Sequence, residues 1–159
     1  MPTVFLKIKN MNNLNLTDAK KSKTIIGRIE RIALPDLALF QLDAKIDTGA
    51  YTSSLHCHSI QVLEKDGGRV LSCFLLDPSH PAYQNEPLFF KKFAQTRVKS
   101  SNGQLQERFK VKTQMQLGNH LFKVEFTLND RSDMRYPILL GRKVLSKRFL
   151  VDVAKKYCL

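Results

Sequence analysis

The stretch KIDTGAYTSS, at residues 45–54, places a carboxylate next to a hydroxyl group and a glycine. Asp47 follows an alternating apolar run, so we expect it where a β-strand ends in a tight loop, and Gly49 gives that loop backbone freedom. Two carboxylates about 3 Å apart can share one proton, so that one acts as a base on water while the other polarises a carbonyl group. Asp-Thr-Gly occurs once in the sequence. One chain therefore supplies half of such a pair.

A second segment, ILLGRKVL at residues 138–145, follows much later in the chain. The two segments together resemble the retropepsin-type aspartic peptidases, in which D-T-G-A forms one loop and an apolar-apolar-Gly-Arg segment packs beneath it. The resemblance becomes narrower with AKIDTGAYTSSLH at residues 44–56 and DRSDMRYPILLGR at residues 130–142. These stretches are similar to a family of small bacterial and archaeal proteins that carries two labels, retropepsin-like domain and ATP-dependent zinc protease. The similarity extends over residues 24–152.

This resemblance implies an aspartic-type endopeptidase that hydrolyses peptide bonds with an Asp-activated water and uses no metal or organic cofactor. It also implies a homodimer, because the second carboxylate comes from another copy of the chain across a two-fold axis. The residues that it assigns to catalysis are Asp47, Thr48 and Gly49, with the Thr48 hydroxyl fixing the loop against its symmetry mate. Gly141 and Arg142 are implied to support the loop from below.

The resemblance further implies a flap, a mobile hairpin that closes over the peptide. The candidate is the stretch at residues 98–111, where Asn102-Gly103 is typical of a two-residue hairpin turn with positive φ. An ordinary surface turn is the alternative for this stretch. The implied substrate-binding residues are Ala50, Ser101, Asn102 and Gly103. Where viral relatives place an acidic ion partner after the catalytic loop, this chain has Tyr51.

Three other functions remain open. The first is a catalytically silent retropepsin-fold module that binds peptides or proteins. The second is a zinc-dependent hydrolase that uses His56 and His58, although two histidines on one face of a strand fall short of the three or four ligands that zinc requires. The third is a nucleic-acid-binding β domain. The ATP label has no support in the sequence, which lacks a Gly-rich loop ending in Gly-Lys-Ser/Thr.

The net charge of +12, from 26 basic and 14 acidic residues, favours polyanionic partners. The basic residues are dispersed and form no recognised nucleic-acid-binding motif, so we expect no specific nucleic acid partner. Members of the resembled family often accompany enzymes that ligate glutamate. An acidic, glutamate-bearing peptide or protein substrate would therefore suit both the family and the charge.

The chain reads as one domain at residues 23–159 behind a flexible extension at residues 1–22, which is rich in Asn and Lys and shows no sustained period. Many short strands with turn signals between them predict an all-β fold, and the resemblance narrows it to a retropepsin-like closed β-barrel with one short C-terminal helix. The strand that leads into the Asp47 loop is predicted from alternation of Phe40, Leu42, Ala44 and Ile46.

No apolar run approaches the roughly 20 residues of a membrane span, so we expect no membrane partner. The three cysteines, Cys57, Cys73 and Cys158, are widely spaced and form no C-x-x-C pair. They are therefore expected to be free thiols rather than a disulfide framework. A cytoplasmic location follows as the expectation.

Overall fold

A computed structural model describes residues 22–159, so that all of the predicted extension but Ser22 lies outside the described residues. The described residues form eleven strands, one α-helix and a short 3₁₀ helix, Pro35–Leu37. The strands are β1 (Thr24–Ile26), β2 (Ile29–Leu34), β3 (Leu39–Ile46), β4 (Ser53–Lys65), β5 (Gly68–Leu75), β6 (Leu88–Phe90), β7 (Ala94–Lys99), β8 (Leu105–Leu117), β9 (His120–Asn129), β10 (Ile138–Leu140) and β11 (Phe149–Val151). The helix α1 is Arg142–Leu145. Within residues 22–159, no helix is long and apolar enough to cross a membrane.

Six of the strands pair in a closed ring. Strand β10 lies between β3, to which it is parallel, and β4, to which it is antiparallel. The ring continues from β3 through β2, β8 and β9 back to β4. Strands β5 and β6 extend it from β4, β7 extends it from β8, and β1 and β11 form a separate parallel pair. The prediction of an all-β domain with one short helix near the C-terminus is confirmed.

The alternation predicted for β3 holds in its second half. Leu42, Ala44 and Ile46 are buried inside the ring, as expected. Phe40, predicted to continue this face, is instead 57% exposed. Gln41 has a φ of 56° and the register between β2 and β3 shifts at this point. Because such a bulge reverses the facing of the residues before it, Leu39 takes the buried position that the alternation assigned to Phe40.

Strands β7 and β8 form the hairpin that was predicted around Asn102-Gly103. The last paired residues are Lys99 and Leu105, so the turn has five residues. The backbone N–H of Ser100 donates to the Gln104 carbonyl at 2.8 Å, and Gly103 adopts a φ of 84°. The prediction of a two-residue turn is therefore wrong, whereas the hairpin itself and the positive φ at Gly103 are present.

Candidate active site

Asp47 begins the loop that joins β3 to β4. Its backbone N–H donates to the Leu140 carbonyl at 2.9 Å, so the loop leaves the ring beside β10. Its Oδ1 accepts the backbone N–H of Gly49 at 2.9 Å and that of Ala50 at 3.2 Å. Hydrogen bonds from an Asp side chain to the backbone two residues on stabilise a tight turn. They also fix the orientation of the half-buried carboxylate.

The segment beneath the loop holds it in place. The Arg142 guanidinium donates through Nη1 to the Thr48 carbonyl at 3.1 Å, and the Arg142 backbone N–H donates to the Ala50 carbonyl at 2.8 Å. The backbone N–H of Gly141 donates to Ser53 Oγ at 3.0 Å. The structure thus brings the D-T-G-A stretch and the Gly-Arg pair into direct contact, although they lie far apart in sequence.

Tyr51 occupies the position where viral relatives have an acidic residue, and it has basic neighbours. The side chain is 59% exposed. Its ring centroid lies 5.8 Å from Cζ of Arg142 and 5.9 Å from Nζ of Lys143. At these distances an aromatic face attracts a cation. The ring therefore gives Arg142 a weak partner in place of a carboxylate, while the main support of the loop is the bond to the Thr48 carbonyl.

Arg131 is absent from the predicted site residues, yet it lies near Asp47. Its Nη1 donates to Ser54 Oγ at 3.1 Å. Burial lowers the pKa of Arg131, the positive charge of Arg108 lowers it further, and the Asp47 carboxylate raises it. Arg131 is therefore within electrostatic range of both Arg108 and Asp47. The signal available in the sequence was the stretch DRSDMRYPILLGR, which contains Arg131.

Arg108, on the β7–β8 hairpin, carries a second guanidinium within electrostatic range of Arg131. It lies on β8 opposite Thr96 of β7, and burial lowers its pKa. Nη2 donates to Gln106 Oε1 at 3.0 Å. The Nε atoms of Arg108 and Arg131 are buried and have no hydrogen-bond partner among the described residues. Such unsatisfied donors are costly, and a carboxylate is the group that best satisfies a guanidinium.

The predicted substrate-binding residues at the hairpin tip, Ser101, Asn102 and Gly103, are exposed. The described hydrogen bonds at the tip lie within the turn itself, including one from Ser100 Oγ to the Asn102 side chain. None of them joins the tip to the Asp47 loop. Arg131 instead responds to charges on both elements, because Arg108 of the hairpin lowers its pKa and Asp47 of the loop raises it.

The two histidines of the zinc alternative have separate partners. His56 is 2% exposed, and its Nδ1 accepts the backbone N–H of Arg131 at 2.6 Å. His58 shares a hydrogen bond of 3.1 Å between Nε2 and the Tyr83 hydroxyl and stacks on Phe74. In the part of the chain that is described, no three His, Cys, Asp or Glu side chains are grouped to hold a metal ion. The donors around His56 therefore do not fit a zinc site.

The chain matches one family model and a region of longer curated proteins. The family model for RimB-like proteins, described as retropepsin-like aspartic endopeptidase RimB, matches residues 25–159. A probable alpha-L-glutamate ligase of Shewanella halifaxensis (strain HAW-EB4) is 35% identical over 142 residues, which cover 87% of this chain and 30% of that protein. One from Desulfotalea psychrophila (strain LSv54 / DSM 12343) is 31% identical over 137 residues, covering 84% of this chain and 29% of that protein.

The chain thus spans about a third or less of the length of these curated relatives. Among solved structures, a Legionella pneumophila protein with unknown function (DUF785) superposes with a TM-score of 0.66 at 29% identity, covering 86% of this chain and 98% of that chain. The retropepsin-like resemblance read from residues 44–56 and 130–142 is confirmed by the match over residues 25–159. The chain belongs to the RimB-like family of retropepsin-like proteins.

Proposed function

We propose that the protein is an aspartic endopeptidase in which Asp47 activates the attacking water. The observation that carries this proposal is the Asp47 loop, whose carboxylate is oriented by two backbone N–H groups. The loop is also fixed from below by Gly141 and Arg142. General base catalysis needs a carboxylate held in a defined direction, since a misplaced base loses most of its effect.

The second carboxylate of the pair is proposed to come from a second copy of the chain. A two-fold axis beside the exposed residues Thr48 and Gly49 would bring both copies of Asp47 within hydrogen-bonding reach. One carboxylate then takes a proton from water as the water oxygen bonds to the scissile carbonyl carbon. The other donates its proton to the carbonyl oxygen, which gives a gem-diol. The first carboxyl group then passes its new proton to the amine nitrogen as the C–N bond breaks, and the second takes a proton back from a diol hydroxyl. Both groups return to their starting state.

The preferred substrate is proposed to be an acidic peptide or protein, with glutamate side chains as the recognised groups. Arg108 and Arg131 support this, because each has a buried Nε donor without a partner among the described residues. A cavity of about 440 Å³ beside Arg108 gives room for a side chain. The curated relatives support it as well, since their longer chains carry the name of a glutamate ligase. The reaction that supplies the substrate would then be the ligation of glutamate.

A binding module without catalytic activity is the second candidate, and one observation favours it. In the curated relatives the matching region is about 30% of a chain named as a ligase. A region within a ligase chain could serve to hold the acidic product near the ligase rather than to cleave it. This candidate predicts that the acidic product binds through Arg108 and Arg131. It also predicts that this binding does not require Asp47 of a second chain.

The proposed compartment is the cytoplasm. Cys57 and Cys73 are buried neighbours on β4 and β5, and both are free thiols, as is the exposed Cys158. Hydrogen bonding to Cys73 and burial raise the pKa of Cys57, which keeps this thiol protonated and unreactive. Neighbouring free thiols are typical of a reducing compartment.

The full chain should cleave a glutamate-rich peptide, and the rate per chain should rise with protein concentration as dimers form. A chelator should leave the rate unchanged, since the proposed mechanism uses no metal. Product masses and the solution mass of the protein, measured over the same concentrations, check both points. Loss of cleavage on chelation would favour the zinc hydrolase, and tight binding without cleavage at any concentration would favour the binding module.

Arg108→Gln should raise KM for the glutamate-rich peptide by about tenfold, because one charge-assisted hydrogen bond to a substrate carboxylate is lost. A neutral peptide of equal length should be affected by less than about threefold. Arg69→Gln is the matched control, since it removes the same charge from an exposed side chain on β5. Equal effects of the two variants on the acidic peptide would show that net charge alone attracts it.

A further inference from the structure

One buried side chain joins the strand after the Asp47 loop to the segment that carries Arg131. Nδ1 of His56 accepts the backbone N–H of Arg131 at 2.6 Å. The backbone N–H of His56 donates to the Pro137 carbonyl at 2.7 Å. The segment at residues 131–137 is therefore bound at both ends by the same residue of β4. No step of the proposed hydrolysis uses His56 itself.

We infer that His56 is a positioning residue, which holds the Arg131 guanidinium at Ser54 of β4 only while its Nδ1 carries no proton. The backbone of Arg131 is bound to His56, and its guanidinium is bound to Ser54 Oγ at 3.1 Å, also on β4. The Arg131 carbonyl is bound within its own segment, by the Met134 N–H at 2.8 Å. Loss of the bond to His56 would therefore leave only the side-chain bond to Ser54 between Arg131 and β4. The inference rests on the proposed function in one respect, namely that Arg131 binds an acidic substrate.

The bond from Arg131 determines where the proton of the His56 ring lies. Because Nδ1 accepts, the neutral ring carries its proton on Nε2. That atom is buried and has no partner among the described residues, and His56 lines a cavity of about 250 Å³. A second proton can bind only at Nδ1, where it would face the N–H of Arg131. Two donors cannot bond to each other, so protonation breaks the bond.

The surroundings of His56 decide the pH at which this happens. Burial lowers the pKa of His56. It outweighs three groups that raise this pKa, namely Asp130, 3.8 Å from Nδ1, Asp77, 3.9 Å from Nε2, and the backbone of Asn129. The charged and titratable groups that act on the ring or line its cavity are His58, Asp77, His80, Asp130, Arg131 and Arg135. Since the folded state favours the neutral ring, the bond is intact at neutral pH. It is lost as pH falls below the ordinary range of histidine.

Peptide binding tests the inference when two variants are compared in an Asp47→Asn background, which removes cleavage. His56→Asn keeps an acceptor oxygen near the position of Nδ1 but does not titrate, whereas His56→Leu has no acceptor. Binding of a fluorescent oligoglutamate peptide is measured between about pH 7.5 and about pH 5. From neutral to acidic pH, the affinity of the parent should fall about tenfold more than that of His56→Asn. His56→Leu should bind weakly throughout.

The peptide itself titrates in the same way in both measurements. Comparing the parent with His56→Asn therefore cancels its contribution to the pH dependence of binding. Equal pH dependence in the parent and in His56→Asn would overturn the inference. A second readout needs no ligand: the NMR signal of the Arg131 amide should move upfield as the His56 ring titrates, and it should not move in His56→Asn. An Arg131 amide signal that does not change as His56 titrates would also overturn the inference. Absence of peptide binding at every pH with the expected NMR result would instead contradict the proposed acidic substrate.

Discussion

Replacing Asp47 by asparagine should abolish peptide hydrolysis, lowering kcat by at least about 10³-fold. An amide cannot take a proton from water, but its oxygen can still accept the N–H groups of Gly49 and Ala50. The loop should therefore keep its shape, and both peptide affinity and the melting temperature should stay close to those of the parent. Single-turnover product analysis measures the loss. Asp43→Asn is the matched control, because Asp43 lies on β3, which leads into the loop, and its carboxylate accepts a hydrogen bond from the Tyr157 hydroxyl at 2.9 Å.

The same variant tests whether two chains share one site. After subunit exchange, an equal mixture of parent and Asp47→Asn contains about one quarter parent dimers and about one half mixed dimers. If mixed dimers are inactive, activity per parent chain should fall to about half of its unmixed value. Activity that stays proportional to the amount of parent chain would mean that each chain holds a complete site, and the dimeric mechanism would then be wrong.

The loop and its support could be predicted from sequence because their determinants are local. A strand with Leu42, Ala44 and Ile46 on one face must end where Asp47 and Gly49 permit a turn. The hydrogen bonds that Oδ1 accepts come from residues only two and three positions on. The pairing with the Gly-Arg segment is not local. It was reached through the family resemblance, which supplied the long-range contact that periodicity alone leaves undetermined.

The residues missed in the prediction depend on contacts between distant parts of the chain. Arg131 bonds to Ser54 and His56, which lie 77 and 75 positions away in the sequence. No local sequence pattern predicts either bond. Similarly, the bulge at Gln41 changes which residue of β3 is buried, and Gln has no special preference for a positive φ. The five-residue turn of the hairpin shows that Asn-Gly marks a turn without determining its length.

The contact beneath the loop depends on the absence of a side chain at Gly141. Its backbone has a φ of −96° and a ψ of 179°, which any residue can adopt, so conformational freedom is not the reason for glycine here. A Cβ at this position would lie 2.5 Å from the Thr52 carbonyl oxygen and 2.8 Å from that of Ala50. Both are backbone atoms of the active-site loop. They cannot move away without displacing the loop itself.

Gly141→Ala should therefore destabilise the fold by about 3 kcal/mol and lower the melting temperature by about 10 °C, as overpacking against backbone does. Peptide binding should be lost together with stability, because the displaced atoms belong to the Asp47 loop. Urea unfolding and peptide titration measure the two effects. Gly68→Ala is the control, since a Cβ there meets nothing within 4 Å and its φ is not positive. If Gly141→Ala proves as stable as Gly68→Ala, the loop is not held against the Gly-Arg segment, and the support that orients the Asp47 carboxylate must lie elsewhere.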